Sequence, residues 1–159
     1  FGHIFSVSGG LPLPQRAPQR QAYRLVELRR FSEALGVPLN PQPRHFPLPG
    51  DPSALLITAV ATHDGAAAAM RLTGAIGQAI WAQERNMADA TELAAVLAEC
   101  GFDAERLAQA QDADNKALYA QHTREAVDAG VFGAPSYVLD GEIFWGQDRL
   151  DFVERRLTA

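Results

Sequence analysis

Residues 136–145, which read SYVLDGEIFW, constrain the fold of this 159-residue chain more than any other segment. Two short runs of β-favouring residues flank Asp140-Gly141, a dipeptide typical of a tight hairpin turn. A lone two-stranded hairpin is only marginally stable, and no other segment has a clear strand pattern. We therefore expect the hairpin over Tyr137–Ile143 to pair with further strands, supplied by a segment preceding Phe1 or by another molecule.

The residues before this hairpin predict a mainly helical body. A turn-rich loop is expected from Phe1 to Pro18, and a helix from Pro18 to a glycine stop at Gly36. After a proline-rich connection, each further helix has its own start signal, and Glu92 extends the Asp89 signal to a capping box. The predicted helices are Ser53–Thr62 with Ser53 as N-cap, Ala66–Glu84, Asp89–Cys100, Asp103–Gln111, a helix that Asp114 or a neighbour caps and that runs to Ala129, where Gly130 stops it, and Asp148–Leu157.

Composition narrows the classes of function. The net charge of −5 argues against a nucleic-acid partner, and no apolar run approaches the roughly 20 residues of a membrane span. One cysteine and no secretory signal favour a reducing, cytoplasmic location. The four histidines have no metal-ligand spacing, so no metal site is expected. Cys100, between Glu99 and Asp103, is interpreted as a small buried hydrophobe rather than a nucleophile.

The Ala134-Pro135 bond precedes the first strand of the hairpin. Proline cannot donate to a strand ladder, so Pro135 fits a first strand position, and an X-Pro bond can be cis at low cost. A cis bond would turn the Ala134 N–H and C=O towards solvent, where they could pair with an extended, peptide-like ligand. The alternative is that Pro135 ends the preceding element and begins the strand in trans.

The WGQD segment at 145–148 joins the second strand to the last helix. Gln147 or Asp148 is expected at the N-cap, where free N–H groups bind anions, and an aspartate there can also hold an ammonium. Strand-like pairing together with such a clamp suits the γ-glutamyl end of glutathione. The alternative for Asp148 is simple N-capping. Trp145 is expected either in the hairpin core or as a wall of the ligand cleft.

At this point three segments carry a family resemblance. Residues 130–157, GVFGAPSYVLDGEIFWGQDRLDFVERRL, strongly resemble the C-terminal signature of 2-hydroxychromene-2-carboxylate isomerases. These enzymes belong, with kappa-class glutathione transferases, to the DsbA-type branch of the thioredoxin-like fold. Residues 17–31, APQRQAYRLVELRRF, resemble the first insertion helix of the family, and residues 80–103, IWAQERNMADATELAAVLAECGFD, its middle. The C-terminal motif is specific, and the helical parts are supportive.

The resemblance implies a set of glutathione-binding positions. Ala134, before the family's cis-proline at Pro135, would contact the cysteinyl part of glutathione. Gln147 and Asp148 would hold the γ-glutamyl group. Arg20, three residues before the insertion-helix tyrosine, would approach the glycyl end. The implied partners are glutathione as cofactor and a small aromatic substrate, with a possible homodimer.

The resemblance also sets the expected architecture. It implies an α/β, thioredoxin-like fold with a large α-helical insertion, residues 1–159 forming one DsbA-type domain. Residues 18–129 would be the mainly helical insertion, and residues 130–159 the C-terminal hairpin and helix. The family's N-terminal β-α-β segment, with its serine beside the glutathione sulfur, is absent from this chain, so the catalytic residue is expected there and is unknown. Ser8-Gly9-Gly10 stands where the family often has TGN, and Phe31 where tryptophan is common.

The expected function is therefore glutathione-dependent isomerisation of the 2-hydroxychromene-2-carboxylate type, or a kappa-like glutathione transferase activity. A thiol–disulfide oxidoreductase of DsbA type is one alternative, and it requires a C-x-x-C pair that these 159 residues lack. The other alternative is a non-catalytic protein that binds glutathione or a peptide.

Overall fold

The computed structural model describes residues 2–159 and divides them into two compact units. One unit comprises residues 2–17 and 120–159, and the other comprises Pro18–Tyr119. The helices are α1 (Gly2–Ser8), α2 (Pro18–Leu35), α3 (Asp51–Asp64), α4 (Ala66–Trp81), α5 (Ala90–Glu99), α6 (Glu105–Gln109), α7 (Ala113–Asp128) and α8 (Leu150–Thr158). The strands are β1 (Ser136–Leu139) and β2 (Glu142–Trp145), and short 3-10 turns cover Leu13–Gln15 and Gln147–Arg149.

The predicted hairpin is confirmed. Strands β1 and β2 pair antiparallel, with Ser136 opposite Trp145 and Leu139 opposite Glu142. Asp140 and Gly141 both have positive φ, 51° and 83°, as a tight two-residue turn between twisted strands requires. Within the described residues the sheet has these two strands alone.

Helix α8 covers one face of the hairpin. It packs against both β1 and β2, and Val153 on its inner face is buried. At the turn, the Arg156 guanidinium donates a 2.8 Å hydrogen bond to the Asp140 carboxylate. This hairpin and helix form a stable base for the loops that enter β1 and leave β2.

The unit of residues 18–119 has a helical hydrophobic core. Helix α3 packs against α4 and α6, and α4 packs against α5. The largest fully buried side chains are Leu56, Leu72, Met87, Leu97, Val60 and Val96. Cys100 is half-buried against this core, as expected for a small hydrophobic residue.

Several predicted boundaries differ from the structure. The loop expected over Phe1–Pro18 contains helix α1 and a 3-10 turn, and Phe1 itself lies outside the described residues. Helix α3 begins at Asp51 with Gly50 as N-cap, so Ser53 is not its cap. The proline in the first turn explains this, because Pro52 needs no intrahelical N–H partner there and has a helical φ.

The cap assignments in the middle of the chain are correct in part. The Asp89 carboxylate caps α5 by accepting a 2.8 Å hydrogen bond from the Thr91 N–H. Glu92 does not complete the capping box, because its carboxylate is instead 2.7 Å from Arg85 Nε. The Asp103 carboxylate accepts a 2.8 Å hydrogen bond from the Glu105 N–H, but Asp103 lies one residue before the N-cap of α6, which is Ala104.

The predicted helix ends that rest on a glycine agree with the structure better than the other predicted boundaries. Helix α4 ends at Trp81 rather than Glu84. Asp114 lies inside the first turn of α7, and its neighbour Asp112 directly precedes the helix. The stops predicted at Gly36 and Gly130 are confirmed, and both glycines have a positive φ, 63° and 78°.

Candidate functional site

The loop from Gly133 to Ser136 enters strand β1, and its Ala134-Pro135 bond is cis, as predicted. The Ser136 hydroxyl donates a 2.7 Å hydrogen bond to the Gly133 carbonyl, which closes the loop on itself. Ala134 is exposed, and neither its N–H nor its C=O makes a hydrogen bond within residues 2–159. These main-chain groups are therefore available to a ligand, which is the property that the strand-pairing hypothesis requires.

Gly133 is buried because a tryptophan covers it. A Cβ placed on Gly133 would lie 2.6 Å from the Trp145 indole nitrogen, so only glycine fits against this ring. Phe132 contacts the same ring at a tilt of 59°, with centroids 5.0 Å apart. Trp145 remains 51% exposed, so it supports the loop from outside rather than filling the hairpin core.

A second loop joins the first through the backbone. The Gly146 N–H donates a 3.0 Å hydrogen bond to the Pro135 carbonyl. Gly146 has a φ of 109°, which redirects the chain into the 3-10 turn Gln147–Arg149 before α8. We call residues 133–136 and 146–149 the paired loops. All the predicted glutathione contacts except Arg20 lie on them.

Neither Gln147 nor Asp148 is an N-cap, which corrects the prediction. Gly146 is the N-cap of the 3-10 turn and Arg149 that of α8, and neither position has a side-chain cap hydrogen bond. Asp148 lies within the 3-10 turn, one residue before the α8 N-cap, and its half-exposed carboxylate accepts a 2.7 Å hydrogen bond from the Arg149 guanidinium. Asp148 is thus a solvent-accessible anion on the paired loops, which fits the predicted role in holding an ammonium.

Gln147 is exposed at the start of the same turn. The first N–H groups of a helical turn have no partner within that turn, and the Gln147 and Asp148 N–H groups make no hydrogen bond within residues 2–159. The paired loops therefore offer carboxylate, amide and free main-chain groups within one small segment of the fold.

A groove of about 520 Å³ opens beside Ala134, and sequence reasoning did not find it. Ser136 and Val138 line it from the hairpin, and Ile4 lines it from α1. Helix α7 contributes His122, Glu125 and Ala126, and Ala129 lines the groove from just beyond the end of the helix. The two small alanines leave room for the groove, and their spacing of three residues was the one sequence signal that could have indicated it.

Arg20 lies in the other unit. It is exposed on the first turn of α2, and its predicted role at the glycyl end of glutathione stays a prediction.

In residues 2–159, no group of three or more His, Cys, Asp or Glu side chains is arranged to hold a metal ion. None of the helices in that range has the length and apolar character needed to span a membrane.

Comparison with known proteins places these observations in a family. The family model described as DSBA-like thioredoxin domain matches residues 2–158. A protein of Sphingobium xenophagum named 2-hydroxychromene-2-carboxylate isomerase is 37% identical over 79 residues, which is 49% of this chain and 40% of that protein. The matched region thus spans less than half the length of that relative.

A solved structure of a 2-hydroxychromene-2-carboxylate isomerase has the same fold. It superposes with a TM-score of 0.77 over 99% of this chain and 75% of that chain. Sequence identity across the superposition is 22%, so the likeness is one of fold.

Proposed function

From the premise that this chain belongs to the DSBA-like thioredoxin domain family, we propose that it is a glutathione-dependent isomerase of the 2-hydroxychromene-2-carboxylate type. Its fold is DsbA-like thioredoxin, mostly helical with a small two-stranded sheet. The names of both relatives support an isomerase, and glutathione is the part of the proposal that rests on the paired loops. The proposal includes a reducing, cytoplasmic location, where glutathione is abundant.

One observation carries the proposal: the 3.0 Å hydrogen bond from Gly146 to the Pro135 carbonyl. This bond holds the exposed main chain of Ala134 and the half-exposed carboxylate of Asp148 on one continuous support. Glutathione needs both, because its cysteinyl part is a peptide and its γ-glutamyl end carries an ammonium beside a carboxylate.

The proposed reaction uses the sulfur of glutathione. Its thiolate adds to the conjugated double bond of an aromatic, electron-poor substrate, the resulting single bond rotates, and the thiolate leaves as the double bond re-forms. No net oxidation or reduction occurs, and the thiolate is regenerated. Covalent catalysis then belongs to the cofactor, and the paired loops contribute by orienting the sulfur.

The family description favours one second candidate, a thiol–disulfide oxidoreductase. That chemistry needs a pair of cysteines, and the sequence has one, Cys100, half-buried beyond the end of α5. A kappa-like transferase would share the glutathione site and differ in keeping the thioether product. A non-catalytic binding protein would bind glutathione without turnover.

The first test of the proposal is calorimetric titration of glutathione. Asp148→Asn removes the charge that pairs with the ammonium, so we expect affinity to fall by roughly 10- to 150-fold, corresponding to about 1.5–3 kcal/mol. The melting temperature should change little, because Asp148 caps no helix. Asp151→Asn is the matched control, since it removes the same charge from an exposed position in the first turn of α8.

Two outcomes would separate the parts of the proposal. Equal affinity in the Asp148→Asn and wild-type chains would remove Asp148 from the site. If binding follows the prediction, an absorbance assay with 2-hydroxychromene-2-carboxylate and glutathione distinguishes isomerisation from thioether formation and from binding without turnover.

A further inference from the structure

Glu84, just beyond the end of α4, has a left-handed backbone conformation with a φ of 55°. Among residues 2–159, the only other non-glycine residue with a positive φ is Asp140 in the hairpin turn. A side chain is strained in this conformation, and such strain persists where the side chain has a role that glycine cannot fill. The conformation of Glu84 therefore points to a role for its carboxylate.

The Glu84 carboxylate holds the loop of residues 40–46. Its Oε1 accepts a 2.8 Å hydrogen bond from the Asn40 side-chain amide and a 3.1 Å hydrogen bond from the Arg44 N–H. The Asn40 N–H donates a further hydrogen bond, of 2.6 Å, to the Trp81 carbonyl. The loop is thus attached to the end of α4 at its first residue and again near its middle. We call residues 40–46 the anchored loop.

The anchored loop places Phe46 against Trp81, with ring centroids 4.6 Å apart. Both residues are half-buried, so part of each ring reaches solvent. The Arg24 guanidinium on α2 lies 5.3 Å from the Phe46 centroid and 5.5 Å from the Trp81 centroid. A planar cation is thereby fixed beside two aromatic rings, and all three residues belong to the unit Pro18–Tyr119.

This cluster is cationic although the chain as a whole has a net charge of −5. Arg44, on the anchored loop two residues before Phe46, is exposed, and within residues 2–159 its guanidinium makes no ion pair. The Glu84 carboxylate contacts the loop through an amide and a main-chain N–H rather than through a guanidinium. Such a local excess of positive charge attracts small anions.

From this arrangement we propose that Arg24, Arg44, Phe46 and Trp81 form a binding site for a small aromatic carboxylate. A guanidinium fork matches the two oxygens of a carboxylate, and the neighbouring rings offer apolar surface on which an aromatic body packs. Glu84 is a positioning residue, because it acts on the ligand only through the anchored loop. In the proposed isomerase this site would hold the carboxylate of the substrate, and in that respect it rests on the proposed function.

Nuclear magnetic resonance titration with benzoate tests the site in the absence of glutathione. The chain has two tryptophans, so the Trp145→Phe variant assigns both indole N–H signals. We expect the Trp81 indole signal to shift and saturate as benzoate is added. Acetate lacks the ring and benzamide lacks the charge, so each should bind at least about fivefold more weakly than benzoate.

Variants of the cation and of the positioning residue give different expected results. Arg24→Gln removes the charge and should raise the Kd for benzoate about tenfold. Arg29→Gln makes the same change at an exposed position of α2, and as the matched control it should leave the Kd unchanged.

Glu84→Gly releases the anchored loop and should weaken benzoate binding about fivefold, because the site is no longer preorganised. Its melting temperature should stay close to the wild-type value, since relief of the backbone strain offsets the lost hydrogen bonds. Glu84→Gln keeps an acceptor oxygen and should bind benzoate within about twofold of the wild type. A role in folding alone would change the melting temperature and leave the Kd as it is.

Three results would overturn the proposal: no saturable shift at Trp81, equal binding of benzoate and acetate, or wild-type affinity in Arg24→Gln. Benzoate has no double bond to isomerise and the titration contains no glutathione. Its outcome is therefore independent of the calorimetric test of the paired loops, and either proposal can fail while the other holds.

Discussion

Gly146 donates its N–H to the carbonyl of Pro135 at 3.0 Å, and this single bond ties together two loops that the sequence separates by a whole hairpin. The bond lies at the open end of β1 and β2, just beyond the Ser136–Trp145 pair. Helix α8 packs on both strands of the hairpin, so the two loops share one base. A site built on such a base is held by main-chain geometry rather than by mobile side chains.

The first prediction concerns Gly133. Gly133→Ala puts a methyl group 2.6 Å from the Trp145 indole nitrogen, so the loop and the ring must separate. We expect a loss of about 1–3 kcal/mol in unfolding free energy and weaker glutathione binding. Chemical denaturation and calorimetry measure the two effects.

Two companion variants make that result specific. Gly74→Ala, on α4 where a Cβ meets no atom within 4 Å, should stabilise the chain by up to about 1 kcal/mol. Adding Trp145→Phe to Gly133→Ala removes the indole nitrogen and should recover part of the loss. If Gly133→Ala is as stable as the wild type, the packing described for this loop is wrong.

The second prediction is a pH dependence in the other unit. Asp64 forms a two-point pair with Arg106, at 2.7 Å to Nε and 3.1 Å to a terminal guanidinium nitrogen. The hydrogen bond from Arg106 is the main cause that lowers the pKa of the Asp64 carboxyl below its ordinary value of 3.8. A lowered folded pKa stabilises the fold above the unfolded value, and that contribution is lost as pH falls below 3.8.

Asp64→Asn tests this sign. The variant should be less stable than wild type at neutral pH, and the difference should shrink as the pH drops through the acid range. Asp112→Asn, at an exposed position, is the control and should show no such convergence. Melting curves between neutral and acid pH give the comparison, and a constant difference would contradict the assigned pair.

The third prediction concerns the helical core. Leu72 on α4 has no exposed surface, so Leu72→Ala leaves a cavity and should cost about 2–5 kcal/mol. Leu35→Ala makes the same deletion at a residue that is 67% exposed, and it should change stability by less than about 0.5 kcal/mol. Urea denaturation of both variants checks whether the core lies where the structure places it.

Local signals predicted the parts of the fold that depend on the backbone alone. Asp140-Gly141, Gly36 and Gly130 were identified correctly, because positive φ is a property of the residue and its immediate turn. The cis bond before Pro135 was also predicted correctly, from the position of the proline at a strand start together with the family resemblance.

Sequence signals were less reliable where the folded chain offers the side chain a different partner or a different helix boundary. Glu92 had the spacing of a capping box, but Arg85 offered a charged partner that the sequence pattern could not reveal. Asp148 is a residue type that often caps helices, but the 3-10 turn after Gly146 contains it, and α8 begins only after Arg149. The groove beside Ala134 was missed because α7 and the hairpin approach each other only in the folded chain.

The most direct test of the central claim is a ¹⁵N–¹H correlation spectrum recorded during titration with reduced glutathione. If glutathione binds the paired loops, the amide signals of Ala134, Gln147 and Asp148 shift together and saturate with one dissociation constant. The Leu72 amide, in the core of the other unit, stays in place. Absence of shifts at Ala134 and Asp148 under saturating glutathione would contradict the account.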